Sequence, residues 1–289
     1  MKGSESGTLF VVATPIGNLE DITLRALKVL REVAVVAAED TRRSGNLLRH
    51  FEFHTPLVSL HEHNELRRSS QLIARLQAGE SVALVTDAGT PGISDPGARF
   101  VSIAREAGIR VEPVPGASSV TAVLSAAGLE FEGFAFLGFP PIKSNDRKRW
   151  FDRLSTLQDL AVVCFEAPHR LRRTLKDLGL LLGNRPIFLA RELTKLHEEW
   201  LHGAVGALES QLGDPRGEFV IVVPPKPTAL QDPAELSDNE IAGLFGQLIE
   251  NAMIGRREAI RTLARQTGQP QKHIYAAIER AKISGKNPK

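Results

Sequence analysis

Residues 81–97 read SVALVTDAGTPGISDPG, an apolar run followed by a turn with three glycines and two prolines. The apolar run, 81–86, predicts a buried β-strand. The turn, 86–97, carries no lysine or arginine. Because glycine has no side chain and proline restricts the backbone, such a turn forms a rigid wall that a ligand can approach closely. This wall suits an adenosine or an amino-acid group better than a triphosphate.

The same alternation of apolar runs and turns continues on both sides of this stretch. It predicts further strands at 8–13, 34–38, 56–60 and 110–114, with amphipathic helices between them. The pattern is typical of a parallel α/β sheet, whose turns meet at the carboxyl edge of the strands, where such sheets bind ligands. The first turn, TPIGN at 14–18, lacks G-x-G-x-x-G, and the chain contains no G-x-x-x-x-G-K-[ST]. A standard dinucleotide site and a P-loop are therefore disfavoured.

Length and composition indicate more than one domain. The chain has 289 residues, of which 42% are hydrophobic and 24% charged, and this is enough for about two globular domains. We predict an α/β fold with a parallel domain over 1–125 and a mixed α/β domain over 126–225. A linker over 226–238 then leads to a small, basic, helix-turn-helix-like domain over 239–289.

The later domains have predicted elements of their own. In the second domain few helices separate the strands, which favours a mixed sheet. Its predicted strands are 134–138, 160–165, 187–190, 199–201 and 219–223, and its predicted helices are 144–157 and 168–182. The C-terminal domain has predicted helices at 239–251, 256–266 and 270–282.

The net charge of +2 is unevenly distributed. Residues 253–289 carry nine lysines and arginines against two glutamates, a net charge of +7 that leaves −5 on the first 252 residues. A basic tail on an acidic body indicates a polyanionic partner, although a tail that only aids solubility is an alternative.

Cysteine usage and hydropathy bear on the compartment. The single cysteine, Cys164, excludes an intrachain disulfide framework and a cysteine-based zinc site. The sequence contains no run of 18 apolar residues and begins without the apolar core of a signal peptide. We therefore expect a soluble cytoplasmic protein. We expect no metal either, because His61-Glu62-His63 lacks a third ligand.

Seven segments of the chain carry a resemblance to a known family. They are VATPIGNLEDITLRAL (12–27), AAEDTRR (37–43), HEHNE (61–65), VTDAGTPGISDPG (85–97), PVPGASS (113–119), EAPHRL (166–171) and RELTKLHEE (191–199). Together they closely resemble the ribosomal RNA small subunit methyltransferase I family of the tetrapyrrole-methylase superfamily. The resemblance covers residues 8–223. It implies two α/β domains with S-adenosylmethionine in the cleft between them, a homodimer, and methylation of the ribose 2'-hydroxyl of a decoding-centre cytidine in 16S rRNA.

The resemblance also implies which residues bind S-adenosylmethionine. Matching positions lie in the first turn, in the 86–97 turn and in the turn after the fifth strand, with two further candidates in the second domain. These residues are Pro15, Asp87, Ala88, Gly89, Ile93, Ala117, Ser118, Ser119, Phe165 and Thr194.

Methyl transfer to a hydroxyl needs the oxygen, methyl carbon and sulfur in line, and a base that removes the proton. We rank Glu166 first, because it ends an apolar strand, where desolvation is expected to raise the pKa of its carboxyl. Asp40 is the second candidate, with a helix cap as its alternative role. The remaining candidates, which spacing leaves open, are Lys195, Glu39, His169 and Glu192.

RNA contact is expected where basic and aromatic residues adjoin, because such side chains hold phosphates and stack on unpaired bases. The alternative is that the aromatic residues belong to the core of an amphipathic helix. The residues concerned are Lys143, Arg147, Lys148, Arg149, Trp150 and Phe151. Two other functions stay open: methylation of a tetrapyrrole or another small metabolite, which the basic tail disfavours, and a ligand-sensing DNA-binding regulator.

Overall fold

The structure is a computed structural model that describes residues 6–226, 236–252, 255–267 and 269–284. The chain divides into two compact units, Met1–Pro225 and Lys226–Lys289. Within the described residues, no helix is both long and apolar enough to cross a membrane. The same residues contain no group of three or more His, Cys, Asp or Glu side chains that could hold a metal ion.

The first sheet of unit 1 has five parallel strands in the order β3-β2-β4-β1-β5. The central strands β2 and β4 are buried along their whole length, because helices cover both faces of the sheet. The predicted strands and the parallel α/β class are confirmed, with strand ends that differ by at most one residue. The elements are β1 (Thr8–Val12), α1 (Leu24–Glu32), β2 (Val35–Ala38), α2 (Thr41–His50), β3 (Leu57–Ser59), α3 (Glu65–Gln77), β4 (Val82–Val85), α4 (Ala98–Glu106) and β5 (Arg110–Val114).

The second sheet of unit 1 is mixed, as its sequence pattern predicted. Its order is β6-β7-β10-β8-β9, in which only β6 and β7 are parallel to each other. No helix separates β8 from β9, so the chain returns directly and the pair is antiparallel. The elements are α5 (Ser119–Ala126), β6 (Phe134–Phe136), α6 (Ser144–Thr156), β7 (Ala161–Glu166), α7 (Pro168–Leu182), β8 (Pro186–Arg191), β9 (Glu199–Ala204), α8 (Val205–Gln211) and β10 (Phe219–Val223).

One hydrophobic cluster joins the two sheets. Val120 and Val123 of α5 pack with Ile16, which follows β1, and with Val163 and Val222 of the second sheet. Burial of an aliphatic side chain of this size contributes about 1.5–3 kcal/mol. Because this cluster includes residues from the turns after β1 and β5, it fixes the carboxyl edge of the first sheet against the second sheet.

The described part of unit 2 contains three helices, α9 (Asp238–Ala252), α10 (Arg256–Thr267) and α11 (Gln271–Ser284). Ile241, Leu263 and Ile274 form its apolar core. Residues 227–235 of the predicted linker lie outside the described residues, and so do Gly268, Lys286 and Lys289.

Candidate active site

Three turns are hydrogen-bonded to one another at the carboxyl edge of the first sheet. Thr14, after β1, donates its N–H to the Gly89 carbonyl at 2.9 Å and accepts the Gly89 N–H at 3.0 Å. The Thr14 hydroxyl also donates to the Thr86 carbonyl at 3.2 Å. Thr90 donates its hydroxyl to the carbonyl of Ala117, after β5, at 3.4 Å. The expectation that the small-residue turns gather at one edge is confirmed.

The turn over 86–97, called the glycine loop from here on, has an unusual backbone. Gly89, Gly92 and Gly97 have φ angles of +84°, +79° and +119°. These angles favour glycine, because a side chain there strains the backbone. Ser94 has a φ of +67° without being a glycine, a conformation that persists only where surrounding contacts hold it.

Glu65, the first residue of α3, fixes the end of the glycine loop. Its buried carboxylate accepts the backbone N–H groups of Gly97 at 3.2 Å and Phe100 at 3.1 Å, at the start of α4. Gly97 has no side chain to cap this helix, so Glu65 supplies the cap from another helix.

Two adjoining cavities lie beside the glycine loop. Cavity A, about 370 Å³, is lined by residues of both sheets, and cavity B, about 290 Å³, lies next to the first turn. A further open pocket, cavity C of about 430 Å³, lies beside the start of α5. Cavities of this size accommodate small ligands.

Eight of the ten predicted donor-binding residues line these cavities, and the other two, Gly89 and Ile93, line none of the three. Asp87, Ala88, Ser119 and Phe165 line cavity A, and Asp87 and Ala88 also line cavity B with Pro15. Among the predicted residues, those that line cavity C are Ala117, Ser118 and Thr194. The hydroxyl of Thr194, in the segment between β8 and β9, accepts the Asn18 N–H of the first turn at 3.1 Å. Gly89 bridges to Thr14, and Ile93 is exposed on the glycine loop.

Cavity A carries a cluster of carboxylates. Glu39, Asp87 and Asp95 line it, and the Thr86 hydroxyl donates to Glu39 Oε2 at 2.9 Å. Burial, followed by the charge of Glu39 and more weakly that of Asp87, raises the pKa of Asp95 to about 6, against a hydrogen bond from Thr86 that lowers it. Asp95 therefore ionises close to neutral pH.

Glu166 lines cavity A but is held by structural partners. Its Oε1 accepts the Ala167 N–H at 2.8 Å and lies 3.3 Å from Arg170 Nε. Its Oε2 accepts the hydroxyl of Thr174, which also receives a hydrogen bond from buried Arg147. Its side chain has 0% exposure. These contacts support a role in joining β7 to α6 and α7.

Asp40 occupies the N-cap of α2, the alternative role foreseen for it. Its Oδ1 accepts the Arg42 N–H at 2.8 Å, and its Oδ2 lies 2.8 Å from the Arg42 guanidinium. The side-chain hydrogen bond from Arg42 lowers the pKa of Asp40 to about 2. A carboxylate of that pKa is a weak proton acceptor at neutral pH.

Lys195 lines cavity B between two carboxylates. Its Nζ lies 3.0 Å from Glu192 Oε1 and 3.0 Å from Glu218 Oε2. Burial lowers the pKa of Lys195, but the hydrogen bonds to Glu218 and Glu192 outweigh it, so the pKa is raised overall. Lys195 is therefore an ammonium donor at neutral pH.

The predicted RNA grip on α6 is wrong for two of its members. Trp150 is 9% exposed and donates its indole N–H to the Leu137 carbonyl at 2.9 Å, and Arg147 is 5% exposed beside Asp177. Both side chains belong to the core. Phe139, which the sequence analysis did not select, is 47% exposed on the wall of cavity A, and its ring lies 5.5 Å from that of Phe165.

Comparison with known proteins places the chain among methylases. The family model for tetrapyrrole (corrin/porphyrin) methylases matches residues 8–209. A Pseudomonas aeruginosa protein named ribosomal RNA small subunit methyltransferase I is 50% identical over 228 residues, covering 75% of this chain and 79% of its own. The Xylella fastidiosa protein of the same name is 43% identical, covering 94% and 99%.

Solved structures agree on the fold. Uroporphyrin-III C-methyltransferase from Thermus thermophilus, in complex with S-adenyl homocysteine, superposes with a TM-score of 0.55 at 20% identity. The match covers 75% of this chain and 97% of that one.

Proposed function

The chain belongs to the tetrapyrrole (corrin/porphyrin) methylase family, and from that premise we propose that it uses S-adenosylmethionine to methylate the RNA of the small ribosomal subunit. The names of its relatives support the substrate. The observation that carries the proposal is the meeting of three small-residue turns beside cavity A, with a glycine loop that holds no cationic side chain.

The residues present fit an adenosyl donor. A Cβ added to Gly89 would lie 3.4 Å from Ile16 and 3.9 Å from the Ala117 carbonyl, so any larger side chain would fill the space between the first and third turns. Asp87, Ala88 and Ser119 would hold the donor against the first sheet, with Phe165 on the opposite wall. When bound, the donor supplies an electrophilic methyl group on a sulfonium.

The finer assignment concerns the atom that is methylated. We propose the ribose 2'-hydroxyl of a decoding-centre cytidine, on the strength of the family resemblance and of the carboxylates in cavity A. A ribose hydroxyl is a poor nucleophile at neutral pH and needs a proton acceptor. In cavity A the carboxylates of Glu39 and Asp95 lie beside the predicted donor-binding residues Asp87 and Ser119, and carboxylates can accept a proton.

A labelling experiment tests this function. The protein is incubated with methyl-labelled S-adenosylmethionine and small ribosomal subunits, and the RNA is then digested to nucleosides. Label in a 2'-O-methylated cytidine supports the proposal. Label on a base, label only in an added metabolite, or none at all contradicts it.

We also propose a homodimer that works in the cytoplasm. Strongly exposed apolar side chains of unit 1, Leu24 and Leu196 among them, offer surface for a partner. Light scattering tests the dimer, since a monomer of 31.5 kDa differs clearly from twice that mass. Fractionation of cells that produce the chain tests the location.

A further inference from the structure

We infer that Phe139, on the loop between β6 and α6, is a substrate-binding residue whose ring stacks on an unpaired base of the RNA at the mouth of cavity A. The inference rests on the proposed function and concerns the part of the site that holds the methyl acceptor. Phe139 lines cavity A together with the predicted donor-binding residues Asp87, Ala88 and Ser119. It is also 47% exposed, so its ring lies where the cavity opens to solvent.

The place of Phe139 distinguishes it from the other aromatic residues nearby. Phe165, whose ring lies 5.5 Å from that of Phe139, is half-buried and packs with Phe136 in the hydrophobic cluster that joins the two sheets. Phe134 of β6 is as exposed as Phe139, but it lines none of cavities A, B and C. Phe139 therefore combines an accessible ring with a position on the wall of the site.

The loop between β6 and α6 is fixed on both sides of this ring. Before it, the Gly138 carbonyl accepts the Phe165 N–H at 3.1 Å, so the pairing of β6 with β7 reaches the preceding residue. After it, Arg170 donates to the carbonyl of buried Pro140. Arg170 is itself held by Glu166, whose Oε1 lies 3.3 Å from its Nε. A ring on a loop that is already ordered loses little conformational entropy when a ligand binds, which favours binding.

The charge of cavity A indicates which part of an RNA fits beside this ring. The carboxylates of Glu39, Asp87 and Asp95 line the cavity and disfavour a phosphate there. A small donor is held with most of its surface buried, and its predicted contacts outside the first sheet, Phe165 and Thr194, are half-buried. An RNA has to approach from the open side of the cavity. A neutral base is therefore the group expected at the exposed ring.

Stacking on an aromatic ring is a common way for a protein to hold an unpaired RNA base. It would confine the attached ribose beside the bound donor, where methyl transfer needs the reacting atoms in line. The side chain of Phe139 has no hydrogen-bond donor or acceptor, so it can hold a base without recognising which base it is. We therefore expect Phe139 to contribute to affinity for the RNA, and other groups to select the nucleotide.

The first test compares Phe139→Ala with wild type and with a matched control, Phe134→Ala, which removes an equally exposed ring outside the cavities. Methyl transfer to small ribosomal subunits gives kcat/KM, and calorimetry gives donor affinity. We expect Phe139→Ala to lower kcat/KM about 5- to 150-fold, with donor affinity changed less than threefold and Phe134→Ala similar to wild type. Phe139→Leu, which is apolar but has no ring, should resemble Phe139→Ala, and Phe139→Trp should recover at least threefold over it.

A second test does not depend on activity. In Phe139→Trp the indole reports on the same position, because a base stacked on it quenches its fluorescence. The probe is a short single-stranded RNA of cytidines at low salt, where attraction to the RNA backbone is strongest. We expect quenching in Phe139→Trp beyond that of Phe134→Trp, which has the same two native tryptophans. Saturating S-adenosylmethionine should leave this quenching in place, because donor and base are inferred to bind side by side.

The outcomes are distinguishable. If wild type does not methylate the subunits, the proposed function fails, and the fluorescence test alone then decides whether the ring at position 139 binds a base. If wild type is active and Phe139→Ala loses less than fivefold in kcat/KM, the inference is overturned. A loss of donor affinity above threefold in Phe139→Ala, or quenching that S-adenosylmethionine abolishes, also overturns it, because the ring then holds the donor. Equal quenching in the two tryptophan variants places the RNA elsewhere and overturns it as well.

Discussion

Asp95→Asn should make the protein more stable at neutral pH. The pKa of Asp95 rises from 3.8 to about 6 on folding, chiefly because of burial and of the charge of Glu39. Between these values the folded chain binds more protons than the unfolded chain. The free energy of unfolding of wild type therefore falls as pH rises through this window, and stays at the lower value above it. Asparagine has no charge to bury, so the variant escapes this loss.

The size of the effect follows from the shift. A change of that size in pKa corresponds to at most about 3 kcal/mol. Since Asp95 is only partly buried, screening by water reduces this, and we expect about 1–2 kcal/mol at pH 8. At pH 4.5, where the folded-state carboxyl is protonated, about a third of the gain should remain.

Urea unfolding followed by tryptophan fluorescence measures the difference. Both tryptophans, Trp150 and Trp200, lie in unit 1, so the signal reports on the unit that contains Asp95. Wild type and Asp95→Asn are compared at pH 4.5 and 8 with a matched control, Asp152→Asn, which removes the charge of an exposed residue of α6. An equal gain at the two pH values, or a less stable Asp95→Asn at pH 8, would refute the reasoning, because neither is consistent with a carboxylate that is costly to ionise.

Three further variants test the site and its supports. Gly89→Leu should lower donor affinity at least tenfold in calorimetry, because its side chain enters the space beside Ile16. The control is Gly108→Leu, which bears a similar backbone strain at φ +73° but has open space around it, and should leave donor affinity unchanged. Equal donor affinity in the two variants would place the donor elsewhere. Glu65→Ala should lower the free energy of unfolding by about 2 kcal/mol in urea titrations, because it leaves the buried N–H groups of Gly97 and Phe100 without their acceptor. A loss below about 0.5 kcal/mol would show that the Glu65 cap does not stabilise the fold. Removing three cations from unit 2 should weaken the salt dependence of RNA binding: the slope of the logarithm of the binding constant against the logarithm of the salt concentration should fall in magnitude by about two to three. An unchanged slope would show that these residues do not contact RNA. The combined variant is Arg257→Ala, Arg261→Ala and Lys272→Ala.

The sequence predicted the parallel sheet and its turns well, because both depend on local patterns. An apolar run such as 81–86 ends where glycine and proline begin, and the strand Val82–Val85 ends there too. The raised pKa of Asp95 could not be predicted in this way. This pKa depends first on burial and then on the charge of Glu39, which is distant in sequence and is brought close only when β2 and β4 pair. The available signal in the sequence was a carboxylate in a turn with three glycines and two prolines.

The prediction on α6 was wrong for Arg147 and Trp150 for a related reason. An amphipathic helix has a polar and an apolar face, but the sequence does not reveal whether an arginine lies on the boundary of the core. Arg147 is buried because Asp177 and Thr174 of α7 satisfy its guanidinium. That pairing joins two helices and is invisible in either helix alone. Trp150 is buried for the same reason, because it lies on the face of α6 that packs on the second sheet.

The charges of cavity A and of the C-terminal residues have opposite signs and suit different ligands. Glu39, Asp87 and Asp95 face cavity A with Arg43 as a nearby cation, an arrangement that attracts a sulfonium and repels phosphate. Screening at physiological ionic strength confines this field to roughly 8 Å, so it acts on a bound donor far more than on an approaching RNA. Attraction for RNA then has to come from cations elsewhere, and residues 253–289 hold a net +7. We therefore expect the pH dependence of methyl transfer to depend on the carboxylates of cavity A and the salt dependence of RNA binding to depend on the cations of residues 253–289, so that each can be altered without the other.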